Sequence, residues 1–337
     1  MSEPGSRKLR LGFLGVGWIG RHRMEAMLTT GLVEAAAISD PSPDMIRDAA
    51  LLAPDAQVVD DLDAMLALDP NGLNLDGVVI ASPSALHAAQ SIQALQAGKA
   101  VFCQKPLGRD AAETQAVVAA ARAADRLLGV DLSYRFTAGM EKIAELVRAG
   151  ALGRLFAIDL VFHNAYGPDK PWFYDRAQSG GGCVMDLGIH LVDLAMWLTG
   201  QDVKSVSSSL FAGGEPLAER DTVEDYAVAT LTLDNHVAVR LACSWRLHAG
   251  QDAVIEASFY GTNGGATMRN VGGSFYDFTT THNNGTQATT IAQPPEAWGG
   301  RVAADWARRL AADPRFDARA EEFVATARAL DRIYAGA

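Results

Sequence analysis

Asp186, His190 and Asp193 interrupt a run, residues 180–198, that is otherwise almost wholly apolar, with Met185, Leu187, Ile189, Leu191, Val192, Leu194, Met196 and Trp197. The three polar side chains stand at i, i+4 and i+7, so on a helix they project from one face. A helix this apolar is expected to be buried, and buried ionisable groups are costly unless paired. A narrow titratable stripe there suits proton transfer, with His190 as general base and Asp186 as the carboxylate that orients it. The same pattern also fits a core histidine flanked by two capping carboxylates.

A second chemistry-bearing element lies near the N-terminus. The strand-like run Leu9 to Leu14 leads into Gly15-Val-Gly17-Trp18-Ile19-Gly20, and a helical pattern follows. Between strand and helix, the first glycine makes a tight turn and the second admits a pyrophosphate close to the backbone. The third lets helix and strand pack closely, while the helix N-terminus offers N–H groups to phosphate. A second strand ends in Asp40, about twenty residues past the last glycine, where an acid accepts hydrogen bonds from an adenosine ribose. Such an acid opposes a 2′-phosphate, so NAD is expected over NADP. Asp40 also precedes Pro41, so a plain turn residue is the alternative reading.

Two further loops follow strand-like runs. In Ala81-Ser82-Pro83-Ser-Ala-Leu-His87, Ser82 and Pro83 are expected against the dinucleotide, with His87 one helical turn on. His87 reads more simply as a satisfied residue at the cofactor's edge than as a catalyst. In Gln104-Lys105-Pro106, the lysine points to the crevice where a nicotinamide belongs, and Pro106 fixes the chain direction, through a cis bond if the turn needs one. Cys103, Cys183 and Cys243 are widely spaced and form no CxxC pattern, which suggests reduced thiols in a cytoplasmic protein and no metal site.

The elements around these motifs alternate strand and helix up to about residue 132, with helical patterns at 43–53, 62–68, 85–97 and 111–125. That alternation implies a doubly wound parallel sheet of Rossmann type. Beyond it come longer alternating runs at 155–163, 203–211, 224–233, 236–245, 253–260 and 266–269, which read as an open, mostly antiparallel sheet covered by the 182–198 helix. The expected division is a dinucleotide-binding domain at 1–130 and an α+β substrate and oligomerisation domain at 131–337. The chain of 337 residues, 49% hydrophobic and 20% charged, is ordinary for a globular protein. A net charge of −11 disfavours nucleic acid and anionic membrane as partners. No run of apolar residues reaches the length of a membrane span.

Together, Gly15-Val-Gly17-Trp18-Ile19-Gly20, Ala81-Ser82-Pro83-Ser-Ala-Leu-His87, Gln104-Lys105-Pro106, Tyr134-Arg-Phe136 and Gly181-Gly-Cys-Val-Met-Asp186-Leu-Gly-Ile-His190 resemble the glucose–fructose oxidoreductase/inositol dehydrogenase (Gfo/Idh/MocA) family of NAD(P)-dependent enzymes. The resemblance spans essentially the whole chain. It implies a catalytic lysine at Lys105, an orienting aspartate at Asp186 and a general base at His190. Family members usually carry Glu-Lys-Pro where this chain has Gln104-Lys105-Pro106. Their glutamate helps to position the nicotinamide ribose, and Gln104 keeps hydrogen-bonding capacity there while removing a negative charge beside Lys105.

The loop 163–176 is rich in aromatics and hydrogen-bonding groups, and Tyr166, Trp172 and Tyr174 are candidates to hold a polyhydroxylated ring such as a sugar or cyclitol. The alternative is that Trp172 and Phe173 only anchor the loop. Two other activities share these motifs: an NAD-using glycosidase that oxidises its sugar transiently, and a cofactor-sensing regulator without turnover. Apolar residues on more than one face of 224–233 and 236–245 suggest a homodimer or homotetramer.

Overall fold

The computed structural model describes residues 7–68, 72–218 and 221–336. In chain order the first elements are β1 (Leu9–Leu14), α1 (Trp18–Thr29), β2 (Val33–Ser39), α2 (Pro43–Ala50), β3 (Gln57–Val58), α3 (Leu62–Leu68), β4 (Gly77–Ile80), α4 (Ser84–Gln96), β5 (Ala100–Cys103), α5 (Ala111–Ala124) and β6 (Leu128–Val130). Then follow α6 (Ala138–Arg148), β7 (Leu155–Asn164), the short α7 (Arg176–Ser179), α8 (Ile189–Thr199), β8 (Val203–Ala212), β9 (Glu215–Pro216), β10 (Tyr226–Leu233), β11 (Ala238–Ser244) and β12 (Ala253–Gly261). The chain continues through β13 (Gly265–Asn270), β14 (Phe278–Asn284), β15 (Gln287–Ala292), α9 (Arg301–Ala312) and α10 (Glu321–Ala335).

Two compact units emerge. The first holds the described residues up to Gly108, Ala112–Asp131 and Gly300–Phe323; the second holds Arg109–Ala111, Leu132–Gly299 and the chain from Val324. A single cut near residue 130 therefore misses a return segment that belongs to the first unit.

The first unit is a six-stranded sheet of order β3-β2-β1-β4-β5-β6, parallel throughout. Its strand order reverses between β1 and β4, the point where such sheets receive ligands at their C-terminal strand ends. Both β4 and β5 are buried at every position, which is why they read as continuous apolar runs without alternation. The return segment completes this core. Trp306 on α9 is 1% exposed, with its ring 5.7 Å from that of Phe102. Gly129 makes room for it, since a Cβ there would meet Trp306 Cδ1 at 2.5 Å. The Leu127 N–H also donates to Pro314 O at 2.8 Å.

The second unit is built on a nine-stranded sheet of order β15-β14-β13-β12-β7-β11-β10-β8-β9, antiparallel except where β7 pairs β11. Burial alternates along β7, β10 and β11, as expected of a sheet covered on one face only. The covering layer includes α8, which packs on β7 and β11, and α6, which packs on β13, β14 and β15. The hairpin β14–β15 is absent from the expected strands. Its Thr- and Asn-rich sequence lacks apolar alternation, although Asn284-Gly285, with Gly285 at φ 56°, is a hairpin signal that marks it. The helical run Arg176–Thr199 does reach the length and mean hydropathy of a membrane span, contrary to the expectation above, and 83% of its most apolar stretch is buried inside the fold. It is the core helix of this unit.

Candidate functional site

In the first unit, the three glycines of the loop are there for three different reasons. Gly15 has φ 84°, and a Cβ on it would stand 2.5 Å from Ala81 O, so both conformation and the neighbouring end of β4 exclude a side chain. At Gly20, a Cβ would stand 2.0 Å from Gly15 O, which would push α1 off the loop. Gly17 differs, because its φ is −59° and a Cβ would meet nothing within 4 Å. Neither strain nor packing within the chain requires glycine there, which leaves the backbone open to a group from outside the chain. That is the position where a pyrophosphate approaches the backbone. Gly17 also N-caps α1 without a side-chain cap, and no acidic residue occupies the first turn. The helix N-terminus thus keeps its N–H groups and dipole for an anion. These residues fit a dinucleotide.

Around the loop, Trp18 is 61% exposed and stacks on His22, with ring centroids 6.1 Å apart, while Ile19 is half-buried. Asp40 closes β2 and serves the loop directly. Its carboxylate accepts from Val16 N–H at 2.9 Å and from Ser42 N–H at 2.9 Å. Asp40 is thus both a turn residue and a brace for the glycine loop, and a carboxylate has further acceptor sites for a ribose hydroxyl.

The ends of β4 and β5 are tied together by His87. Its ring nitrogens lie 2.7 Å from Pro106 O and 2.7 Å from Ser82 O, and the residue is 2% exposed. Burial pushes the imidazole below its ordinary pKa, the two carbonyls oppose that, and Lys105 adds to it. With both nitrogens turned to backbone carbonyls, His87 braces the two loops and does not reach out to a cofactor, which corrects its place among the expected cofactor contacts. Ser82 donates to Gln90 Oε1 at 2.6 Å, Pro83 N-caps α4, and the Lys105–Pro106 bond is cis. Lys105 is half-buried; Gln104 is buried and donates its amide to Asp131.

In the second unit, the helix that carries the titratable stripe does not start as an α-helix. Val184–Gly188 is π-helical, and the α-helix begins at Ile189. A π turn is wider than an α turn and is a frequent feature of functional sites. Asp186 lies on this π turn, whereas His190 and Asp193 lie on the α-helix that follows. Asp186 accepts from Trp245 Nε1 at 3.0 Å. Asp193 forms a two-pronged pair with Arg135, Nε to Oδ2 at 2.8 Å and Nη2 to Oδ1 at 2.5 Å, and is 2% exposed. His190, 7% exposed, lies against the Tyr134 ring at 4.9 Å between centroids. Asp193 is thus held in a buried ion pair with Arg135.

Glu224 is the residue that sequence reasoning missed. It is fully buried and receives the N-terminus of the π segment, accepting from Val184 N–H at 2.8 Å and Gly182 N–H at 3.0 Å. Tyr334 on α10 donates its hydroxyl to Glu224 at 2.9 Å. Burial raises the Glu224 pKa, and the backbone and Tyr334 hydrogen bonds oppose that rise. Gly182 is required here, since a Cβ would stand 1.9 Å from Glu224 O. An acid just ahead of a strand gives no sequence sign of this role, because its partners lie between 40 and 110 residues away in the chain.

The aromatic loop meets Asp186 through Trp245. Tyr174 packs edge-on against Trp245 at 5.6 Å, Arg246 lies over the Tyr174 ring at 4.9 Å, and the Tyr174 hydroxyl donates to Pro168 O at 2.9 Å. Trp172 stacks on Phe173 with centroids 3.8 Å apart. Tyr166 is 52% exposed. Tyr174 thus holds the loop's shape, and Tyr166 is the most open of the three candidates.

A parallel Rossmann unit with a dinucleotide-fitted glycine loop, followed by a unit that presents a histidine and a carboxylate on one buried helix, defines a nicotinamide-dependent oxidoreductase. Comparisons with known proteins give its family. Residues 9–132 match the oxidoreductase family with NAD-binding Rossmann fold, and residues 140–267 match the GFO/IDH/MocA C-terminal domain. The chain belongs to the GFO/IDH/MocA family. It is 28% identical over 277 residues to D-glucoside 3-dehydrogenase of Escherichia coli, covering 78% of each chain. Inositol 2-dehydrogenase of Rhodococcus erythropolis is 33% identical over 205 residues, 60% of this chain and 56% of that one. Levoglucosan dehydrogenase, solved with NADH and levoglucosan, shares the fold with a TM-score of 0.82 at 19% identity, covering 98% of this chain and 97% of that one.

Proposed function

We propose that the protein transfers hydride between NAD(H) and a CH–OH or C=O carbon of a sugar or cyclitol. The observation that carries this reading is the division of roles on the buried helix. Asp193 is neutralised by Arg135, which leaves Asp186 and His190 as its chemistry-bearing polar groups. Relatives whose names specify a glucoside and an inositol as substrates support the substrate class. Nicotinamide, when bound, supplies the hydride acceptor or donor. In the oxidative direction His190 takes the proton of the reacting hydroxyl, and Lys105 donates a hydrogen bond to the same oxygen and stabilises its developing charge. In reduction, protonated His190 returns a proton to a carbonyl oxygen polarised by Lys105. Asp186, fixed by Trp245, accepts from a neighbouring substrate hydroxyl or keeps His190 in the productive tautomer.

A panel of sugars and polyols, followed by NADH absorbance with NAD and NADP in parallel, tests the reading. Net accumulation of NADH separates a dehydrogenase from an NAD-using glycosidase, which returns its hydride. His190→Asn and Lys105→Ala should each lower kcat by about a hundredfold or more while NAD affinity stays within a few-fold. Turnover that survives per folded molecule overturns the assignment, and no turnover on any panel member would favour a cofactor-sensing regulator. The assembly we propose is a homodimer or homotetramer through the outward face of the second unit's sheet, where Val228 and Tyr260 are exposed by 40% and 39%. Light scattering that returns a monomer mass at micromolar protein rejects it.

A further inference from the structure

Position 104, where relatives usually carry glutamate, sits in a buried charge cluster that explains the glutamine. Gln104 at the end of β5 is 8% exposed, Asp131 just past β6 is 2% exposed, and Arg23 on α1 is 5% exposed. Gln104 Nε2 donates to Asp131 Oδ2, and Arg23 Nε donates to the same oxygen at 2.6 Å. An ionised carboxylate only accepts hydrogen bonds, so the side of the amide facing Asp131 has to be its NH2. The amide oxygen of Gln104 is thereby turned away from Asp131 and kept as an acceptor. Oδ1 of Asp131 is buried and accepts no hydrogen bond among the described residues, so the carboxylate's holding contacts run through the one shared oxygen. A glutamate at 104 would instead place two carboxylates at hydrogen-bond distance with a single guanidinium between them, and like charges so close do not both ionise readily.

We propose that Asp131 is a positioning residue for the cofactor: it orients the Gln104 amide so that its oxygen takes the ribose hydroxyl that the family's glutamate takes. The negative charge of this chain stands at Asp131, one strand along from Gln104, and the two side chains act together as one divided glutamate. This rests on the NAD-binding reading of the first unit, and its test reads cofactor binding without substrate, so that failure of the proposed dehydrogenation leaves it standing.

The decisive experiment is a charge swap, with NAD affinity measured by calorimetry between about pH 7 and about pH 9. The other titratable groups tied to the cluster are His22, whose Nδ1 lies 2.7 Å from Arg23 Nη1, Glu25, which acts on His22, and Cys103, which feels Asp131. Burial and Arg23 push His22 below its ordinary value, and burial pushes Cys103 up to about 12, so neither titrates in that window. Q104E should weaken NAD binding about tenfold or more at the alkaline end and recover towards the acidic end, where the two carboxylates share a proton. D131N, which leaves Arg23 without its anion, should also bind weakly. The double variant Q104E/D131N restores one carboxylate, one amide and one guanidinium, and should bring affinity back to within about threefold of the parent with the pH dependence gone. Should D131N alone fail to fold, Q104E and the double variant still decide. Two results overturn the proposal: Q104E binding as the parent does across the whole window, or a double variant no better than Q104E alone.

Discussion

Asp131 in the first unit and Glu224 in the second are both almost completely buried, and the two are kept in opposite ways. Asp131 in the first unit is held by a cation, Arg23, with the Gln104 amide beside it. Glu224 in the second has no salt bridge among the described residues; it is held by two backbone N–H groups at a helix start and by the Tyr334 hydroxyl. A charge balanced by a charge is sensitive to what its neighbours carry and tolerant of small shifts. A charge balanced by dipoles depends on where those dipoles point. Because the dipoles at Glu224 belong to the segment that leads to Asp186 and His190, that carboxylate fixes the start of the reacting helix.

The largest effect should separate these two modes. Asp131→Ala leaves Arg23 buried beside no anion and should cost about 3–5 kcal/mol of unfolding free energy. Glu224→Ala leaves two buried N–H groups and a tyrosine hydroxyl unsatisfied and should cost about 2–3 kcal/mol in the same denaturant titration. Equal losses would mean that the dipoles hold an anion as firmly as the guanidinium does. A smaller effect distinguishes them by pH. Glu224 has its folded pKa raised, so its contribution to stability is fully present below the ordinary carboxylate value and is lost as pH rises through the raised value. Glu224→Gln should therefore gain stability relative to the parent from about pH 4.5 upward, read as a difference in Tm. A pH-independent difference would show that the backbone donors fully compensate the burial. The smallest effect concerns Asp40. Asp40→Ala should narrow an NAD preference of about tenfold, chiefly by weakening NAD, and should loosen the loop through the lost Val16 contact. Equal affinity of the parent for NAD and NADP in calorimetry would remove Asp40 from cofactor choice.

The same contrast explains what the sequence made legible. The glycine loop, the parallel sheet and the order of its elements follow from local rules, because a turn, a strand and a helix start are each decided within a few residues. Candidate chemistry at Lys105, Asp186 and His190 was legible from spacing together with family resemblance. The division of labour between Asp186 and Asp193 was not, since it is set by Trp245 and Arg135, 59 and 58 residues away in the chain. The π turn at Val184–Gly188 was hidden for a similar reason: a periodic apolar run looks alike in α and π registers, and Glu224 receives its first N–H groups from another part of the chain. His87 shows the converse. Its place in a cofactor-edge motif suggested a contact, and two backbone carbonyls took both ring nitrogens.

One consequence of the return segment concerns the order in which the protein can be made. Domains generally fold as units during synthesis, N-terminal part first. Here all six strands of the Rossmann sheet have been synthesised once Asp131 is made, yet the space framed by Phe102 and Gly129 is filled by Trp306, about half the chain later. The nascent first unit must therefore wait with part of its core open while the whole second sheet is translated. A shortened chain ending near residue 131 would carry every cofactor-loop residue and still lack the tryptophan that closes the sheet beneath them.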